Sequence, residues 1–565
     1  MSDTTETNKK HWSRAEIAEK MNKYKQGYQR TPSQRQMAQE LGVPRTTIQH
    51  WLKYEKDIAA GSTTATFLAS PEGIAFLHRL VVAAHFVITL VGPGGIRIVC
   101  LFLELAGLDR FVAASYGPQQ KVSVAVQEAV ISFGKEERER LGKRMQHKQI
   151  TVCEDETFHP QVCLVAIEPV SNFILLEQYA DNRKAKTWSD AMEEATVDLP
   201  IQVVQSTSDE GRGLLRHVKE GLGAHHSPDV FHVQHELIKG VSLALASKKR
   251  QAGENVAKTV KQRKRYQEKK ARYLNDKKDA QPLVELECQI KQAQEQEDEA
   301  RRALEIAIEH QERAQKAVQG ISAAYHPYDL ETGAVRCAEQ VSTMLEQHFL
   351  ELETVATAAD LAQRCLDRIQ KAKRVVVDMV ATISFFFLLV QAKVEALSLP
   401  PQVEQAMYDH LIPAIYLHLV SEKTSDPEQR RAIQHSSEKL LIPLLKNDGP
   451  FVGLEAEDKI VIERVAHECV HLFQRSSSCV EGRNGQLALR HHSLHQISNR
   501  KLTALTTVHN YFVKRSDGTT AAERFFGAMP RDLFEYILAR VELPGRPAQK
   551  RSQPRPPTYL TQTAA

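Results

Sequence analysis

The chain has 565 residues, of which 42% are hydrophobic and 25% charged, the composition of an ordinary globular protein with roughly three to five folding units. Lys and Arg number 74 against 70 Asp and Glu, a net charge of +4, which excludes a histone-like basic protein and an acidic disordered chain. Eight cysteines without a single C-x-x-C pair exclude a disulfide scaffold and a Cys-rich zinc module, and they imply reduced thiols in a cytoplasmic protein.

The first twelve residues, MSDTTETNKKHW, are polar and carry no apolar core, so no signal peptide is expected. Residues 9–53 hold ten Lys/Arg against three Glu, a local excess that the whole-chain sum conceals. Within them Thr31-Pro32-Ser33 predicts a helix start. A helix, a turn centred on Gly42 and a second helix follow, through Leu52. Met37, Ala38 and Leu41 would face Val43, Ile48, Trp51 and Leu52 across the turn. Arg45, Thr46, Thr47, Gln49 and His50 remain on the outer face of the second helix, as in a DNA-binding helix-turn-helix. An ordinary helical hairpin is the alternative.

Residues 61–148 read as helical, a scaffold or dimerisation unit with no evident chemistry. Two apolar runs, 80–91 and 375–390, contain His85 and Asp378 and fall short of the ~20 residues a bilayer needs. Both are expected as buried helices, with no membrane span. The glycines at 92, 94 and 95 form a turn, because no Gly-Lys-Ser/Thr follows them.

From residue 149 the period changes. Residues 150–153 predict a short strand running into Glu154-Asp155-Glu156, and 162–167 and 173–176 predict two more, joined by a turn at 169–172. A helix at 188–195 precedes a strand at 201–205, which ends at Ser208-Asp209-Glu210-Gly211. A helix at 214–221 leads to a further short strand at Asp229-Val230-Phe231-His232. The expected fold class is an α/β unit with a mixed sheet. Residues 248–278 then carry thirteen basic and three acidic residues, and 285–313 nine acidic and four basic. This pattern predicts an antiparallel helical hairpin, either a solvated arm or a nucleic-acid contact. Further helices run to residue 474, and 544–557, with four basic residues, five prolines and no acid, reads as a disordered tail.

The sharpest chemical pattern is Asp155 and Asp209, each closing a strand of one α/β unit. Carboxylates at adjacent strand ends can share two divalent cations ~4 Å apart, which activate a nucleophile and stabilise a leaving oxygen on phosphorus. Oxygen ligands favour Mg²⁺ or Mn²⁺ over zinc, and a later helix commonly brings the third acid. Plainer roles stand beside these. Asp209-Glu210-Gly211 also fits a turn with a helix cap, and His232 also fits a hydrogen-bonded core histidine. Asp155 lies between Glu154 and Glu156, and strand alternation places it on the face of Cys153.

These residues resemble the DDE transposases with an RNase H-like core. Strand-Asp155, strand-Asp209 and Asp229-x-x-His232 are similar to the first two catalytic acids and the C/D-x-x-H signature of the hAT-type and related enzymes, whose core is interrupted by an all-helical insertion. The stretch Ser477-Ser478-Cys479-Val480-Glu481-Gly482-Arg483-Asn484-Gly485 resembles the segment carrying the third acid in bacterial insertion-sequence transposases. Asp517-Gly518-Thr519-Thr520-Ala521-Ala522-Glu523-Arg524-Phe525-Phe526 is similar to the end of such cores. The resemblance implies Asp155, Asp209 and Glu481 as catalytic metal ligands for two Mg²⁺ or Mn²⁺ ions, with Glu523 the lesser candidate for the third. It implies that Asp229 and His232 position the site or flanking DNA, and that Arg483 and Asn484 contact phosphate or support the ligands. Asp209 and Glu481 lie about 270 residues apart, far beyond simple DDE spacing, so the third assignment depends on the insertion.

The implied division is a helix-turn-helix over 1–60, a helical unit over 61–148 and a split RNase H-like core at 149–247 and 476–528. An all-α insertion would occupy 248–475, and 529–565 a C-terminal helix and basic tail. The implied activity is Mg²⁺-dependent cleavage at transposon ends and 3′-hydroxyl transfer into target DNA. Double-stranded DNA and a second copy of the chain would be its partners, in a bacterial, nucleoid-associated setting. Two alternatives stand beside it. His467-Glu468-x-x-His471 matches the H-E-x-x-H of zinc metalloproteases, with His491, His492 or His495 as third ligand, and a catalytically inactive DNA-binding relic would keep the same modules.

Overall fold

The computed structural model describes residues 12–28, 33–59, 63–158, 161–275, 281–494 and 497–547. At the N-terminus, α1 (Arg14–Tyr28), α2 (Gln34–Glu40) and α3 (Arg45–Ala59) close a small core of Tyr24, Met37, Ala38, Val43 and Ile48. Gly42 takes φ 61° between α2 and α3, a left-handed conformation that glycine reaches without a Cβ clash. Arg45, Thr46, Gln49 and His50 are exposed and Thr47 is half-buried. Thr31 and Pro32 of the expected helix start lie outside the described residues, whereas Ser33 occupies the N-cap position of α2.

Two longer helices follow, α4 (Pro71–His85), which runs into a wider turn over Phe86–Val91, and α5 (Tyr116–Gly142). The chain then enters a five-stranded sheet of β1 (Lys148–Phe158), β2 (Val162–Glu168), β3 (Phe173–Ala180), β4 (Ile201–Ser208) and β5 (His225–Pro228), in the order β3-β2-β1-β4-β5. The β1–β2 and β2–β3 pairs are antiparallel, and the β1–β4 and β4–β5 pairs parallel. The mixed α/β unit is therefore as expected, with two corrections. First, the acids Glu154-Asp155-Glu156 do not terminate β1, because cross-strand pairing to β2 carries the strand on to Phe158. Second, Asp229–His232 is not a strand. The strand is His225–Pro228, and Asp229 caps the next helix, Val230–Leu237, by accepting the Phe231 N–H at 2.8 Å.

One face of the sheet carries α6 (Ala185–Thr196), whose Trp188 and Met192 pack on Leu164, Ala166 and Leu176. The opposite face shares a larger core with α4, α5 and the C-terminal helices, so Phe133, Ile167, Phe173, Leu505 and Ile537 belong to one cluster. Residues 63–142 are thus built into the body of the α/β unit.

After α7 (Val230–Leu237), the helices α8 (Leu243–Asn275) and α9 (Gln281–Ala324) form the expected hairpin. Their inner faces are joined by Arg263–Glu297 and Lys270–Glu287, each at 2.7 Å. The remaining helices to Phe473, including α10 (Val376–Glu395) and α11 (Ala456–His471), build a separate core around Tyr325, Phe349, Phe386 and Phe473. Two helical stretches, Pro71–Val91 and Gln363–Glu395, are long and apolar enough to cross a membrane. Each has a buried face, with Leu77, Val81 and Leu90 in one core and Met379, Ile383 and Phe386 in the other.

Finally α12 (Ser478–Leu494) and α13 (Asn499–Tyr511) return to the sheet. Asn510 of α13 meets edge strand β3 with its side chain. It accepts the Ile174 N–H at 2.9 Å and donates to the Ile174 carbonyl at 2.9 Å. This pairing occupies backbone groups that an open edge would offer to another chain. Asn510→Ala leaves both Ile174 groups unpaired in a buried site. The expected loss is about 2–4 kcal/mol, measured as a lower denaturant midpoint for unfolding of the α/β unit; an unchanged midpoint would refute the edge-capping role.

Candidate metal centre

The parallel pairing of β1 and β4 runs up to Glu154 opposite Ser208. Asp155 and Asp209 are the next residue on each strand, so the two acids lie side by side where the strands part. Side-chain alternation divides the three neighbouring acids between the faces. Glu154 is fully buried, accepting from Ser206 Oγ with His217 Nε2 3.3 Å away, and Glu156 accepts Trp188 Nε1–H at 3.1 Å. Asp155 points the other way, on the face of Cys153, as strand alternation predicts. There the Glu156 N–H donates to Asp155 Oδ1 at 2.8 Å and Asn484 Nδ2 to Oδ2 at 3.1 Å.

The helical return supplies the other side of the site. On α12, Arg483 donates through Nε and Nη2 to both oxygens of Glu177 on β3, each at 2.6 Å, and both residues are buried. This fork fixes the rotation of α12, so that Asn484 meets Asp155 and Glu481 faces α7. Arg483 is therefore not a phosphate contact, since its guanidinium is committed to a buried carboxylate. Glu177 was not evident from sequence. It follows the apolar run 173–176 and precedes Gln178, so no local signal marks it.

His232 projects from the first turn of α7. Its Nε2 lies 3.6 Å from Glu481 Oε1 and 3.7 Å from Asp229 Oδ2. Asp229 is buried, caps α7, and accepts a hydrogen bond from Ser477 Oγ. One ligand atom each from Asp155, His232 and Glu481 falls within a 4.8 Å cluster. His232 Nε2 and Asn484 Oδ1 are buried without hydrogen-bond partners, a state that costs free energy unless a cation or water completes it. These donors suit a hard or borderline divalent ion. Asp209 borders the cluster, with its Oδ1 accepting the Gly211 N–H at 3.0 Å, and it lines an adjoining cavity of about 350 Å³ with Glu210, Asp229 and His232.

Burial raises the Asp155 carboxyl to about 7, and the charges of Glu481 and Asp209 add to the effect while the Glu156 N–H and His232 oppose it. Such a site repels its own negative charge and would be relieved by a bound cation.

The other candidates lie elsewhere. Glu523 is on the short helix Ala521–Phe526, beside Phe525, whose carbonyl accepts from Lys148 at the start of β1. That is the far end of the strand from Asp155. His467 and His471 share α11 with ring centroids 6.2 Å apart, and Glu468 pairs with Lys393 at 3.3 Å. His491 instead meets Tyr179 Oη at 3.2 Å, His492 is exposed, and His495 lies outside the described residues. Among the described residues, no third ligand joins His467 and His471.

A profile described as a family of unknown function, DUF6399, matches residues 407–553, the part of the chain that spans α11, α12 and α13. No curated protein and no solved structure matches the chain.

The raised Asp155 carboxyl makes a prediction about stability. Its folded value near 7 lies above the ordinary unfolded value, so the native protein holds a proton that the unfolded chain releases between about pH 4 and 7. This contribution is greatest below that window and is lost as the pH rises through it. Metal-free Asp155→Asn should therefore exceed the wild type by about 4 kcal/mol at pH 8 and match it at pH 4. Mn²⁺ should stabilise the wild type at pH 8 and leave the variant unmoved. Parallel pH profiles in chemical denaturation would contradict the assignment.

Proposed function

We propose that the chain is a DDE-type DNA transposase, a metal-dependent polynucleotidyl transferase with a split RNase H-like core. The observation that carries this reading is the convergence of Asp155, at the parting of two parallel strands, with Glu481, delivered from beyond a helical insertion. The β3-β2-β1-β4-β5 order, antiparallel on one side of β1 and parallel on the other, supports an RNase H-like arrangement. Asp209 at the end of β4 and the Asp229-x-x-His232 turn support the hAT-like resemblance.

In this reading Asp155, Asp209 and Glu481 hold Mg²⁺ or Mn²⁺, with His232 as an added nitrogen donor that favours Mn²⁺. Two bound ions would supply an activated water or 3′-hydroxyl and charge stabilisation at a phosphodiester. The protein's own part is placement. The Arg483–Glu177 fork sets Glu481 at its distance from Asp155, Asn484 orients Asp155, and Asp229 holds the end of α7 from which His232 projects. No Ser or Tyr nucleophile is required. The exposed Arg45, Thr46, Gln49 and His50, with Thr47, would read terminal inverted repeats in the major groove. Double-stranded DNA is the partner, and joining two transposon ends calls for at least two copies of the chain at the bacterial nucleoid.

Alanine at Asp155, Asp209 or Glu481 should reduce Mn²⁺- or Mg²⁺-dependent cleavage of DNA bearing the element's ends by at least about a hundredfold, with end binding retained in a gel-shift assay. Full cleavage by the Glu481→Ala protein would defeat the reading of the site. Inverted repeats and a short target duplication flanking the coding frame would test the transposon assignment independently.

Specific end binding should weaken by about 1–3 kcal/mol in Arg45→Ala or Gln49→Ala. An unchanged footprint and affinity would remove α3 from DNA recognition.

A further inference from the structure

A second cavity, about 560 Å³, lies between the β2–β3 turn and the helical insertion. Its wall is formed by Val170, by the end of the helix Ile412–Lys423, and by the segment that leads from α11 to α12. Three cations border it: Lys423, Arg475 and Arg515. None has a carboxylate partner among the described residues. Arg475 Nη1 donates to the carbonyl and hydroxyl of Ser322 at 2.8 and 3.1 Å, and Arg515 Nη1 to the Val170 carbonyl at 3.2 Å. Lys423 makes no ion pair or hydrogen bond among the described residues, although its side chain reaches solvent. The carboxylate on the wall, Glu422, lies 3.6 Å from His418 one turn back on its own helix.

The electrostatics agree with this geometry. Burial lowers the pKa of both Lys423 and Arg475, and Arg475 and Arg515 lower that of Lys423 further. Arg475 is half-buried without an acid beside it, and the exposed Lys423 and Arg515 share its cavity, so three positive charges around one hollow make a place for an anion. The adjoining cavity, which shares Val170 and His471, is also cationic but satisfied. There Lys148 donates to the Phe525 carbonyl at 2.6 Å, Lys393 pairs with Glu468 at 3.3 Å, and Arg524 donates to the Ser171 carbonyl at 2.8 Å.

We propose that the Lys423–Arg475–Arg515 cavity is a phosphate-binding site. Two guanidinium groups offer planar N–H pairs to phosphate oxygens, and the ammonium adds a mobile point charge. The phosphate comes either from a free nucleotide or from the backbone of bound DNA. The pocket also touches the frame of the metal centre, because the Arg475 carbonyl accepts the Val230 N–H at 3.0 Å at the start of α7. Phosphate recognition here does not require the metal centre to be catalytic.

The test uses the full-length protein titrated with inorganic phosphate, with adenosine monophosphate and with a short DNA duplex, by calorimetry and fluorescence anisotropy. Lys423→Met and Arg515→Gln act on solvent-accessible side chains, and thermal melting checks that both remain folded. With a free phosphate as ligand, each substitution weakens phosphate or nucleotide binding at least about tenfold and leaves duplex affinity unchanged. With a DNA phosphate, each instead weakens the duplex and lowers the salt dependence by about one counterion. In both cases Asp155→Asn binds as the wild type does, which separates this pocket from the metal centre. Folded variants that bind phosphate, nucleotide and duplex like the wild type overturn the proposal.

Discussion

The candidate metal centre depends on one buried ion pair. Arg483 and Glu177 come from segments 306 residues apart, with the whole helical insertion between them. Their two parallel hydrogen bonds fix both the position and the rotation of α12 against the sheet. A buried carboxylate or guanidinium left alone costs about 3–5 kcal/mol, so each group holds the other in place. Glu481 and Asn484 lie two residues before and one after Arg483. On a helix these offsets turn the three side chains to different azimuths, one into the sheet, one to Asp155 and one to His232.

The segment entering α12 supplies a second constraint. The Gln474 carbonyl accepts from Gln205 and Thr207 of β4 and from Ser227 of β5, at 2.8, 3.1 and 2.9 Å. Ser476 accepts from Cys153 Sγ at 3.5 Å, and Ser477 binds Asp229. The return from the insertion is thus tied to three strands before α12 begins. Such ties explain how two hydrophobic cores, one around the sheet and one in the insertion, can place residues at a shared site. They also give a physical purpose to Gln205 and Thr207 of β4, whose buried side-chain donors both end on the Gln474 carbonyl.

Much of this was legible in the chain because it is local. Short runs rich in branched apolar residues marked β2 and β4, Gly42 marked the turn between α2 and α3, and the opposed charges of α8 and α9 marked the hairpin. The pairing of Asp155 with Cys153 on one face followed from the period of a strand. What was illegible depends on tertiary pairing. Nothing local separates Glu177 from a solvent-exposed strand residue, or Arg483 from a surface arginine, until α12 is laid across β3. The reading of Asp229–His232 as a strand failed for a similar reason. Val230 and Phe231 are strand-like in type, but the Asp229 side chain caps the following backbone, and the cap decides the conformation.

The small net charge is a sum over surfaces with different roles. On α8, only Arg263 and Lys270 form ion pairs among the described residues, while Lys258, Lys261, Lys264, Arg265, Lys269 and Arg272 remain exposed. The acids of α9 are on the neighbouring helix, so the arm has one cationic and one anionic side. Near the sheet, by contrast, Lys148 and Arg524 are bound to backbone carbonyls, and Arg483 is neutralised outright. A count of charges treats all of these alike. Solvation and partnering separate them, because paired charges position the fold, exposed charges on α8 set its long-range field, and cations gathered around one cavity without an acid attract an anion there. It is this last class, represented by Lys423, Arg475 and Arg515 around one cavity, that a sequence total conceals most completely.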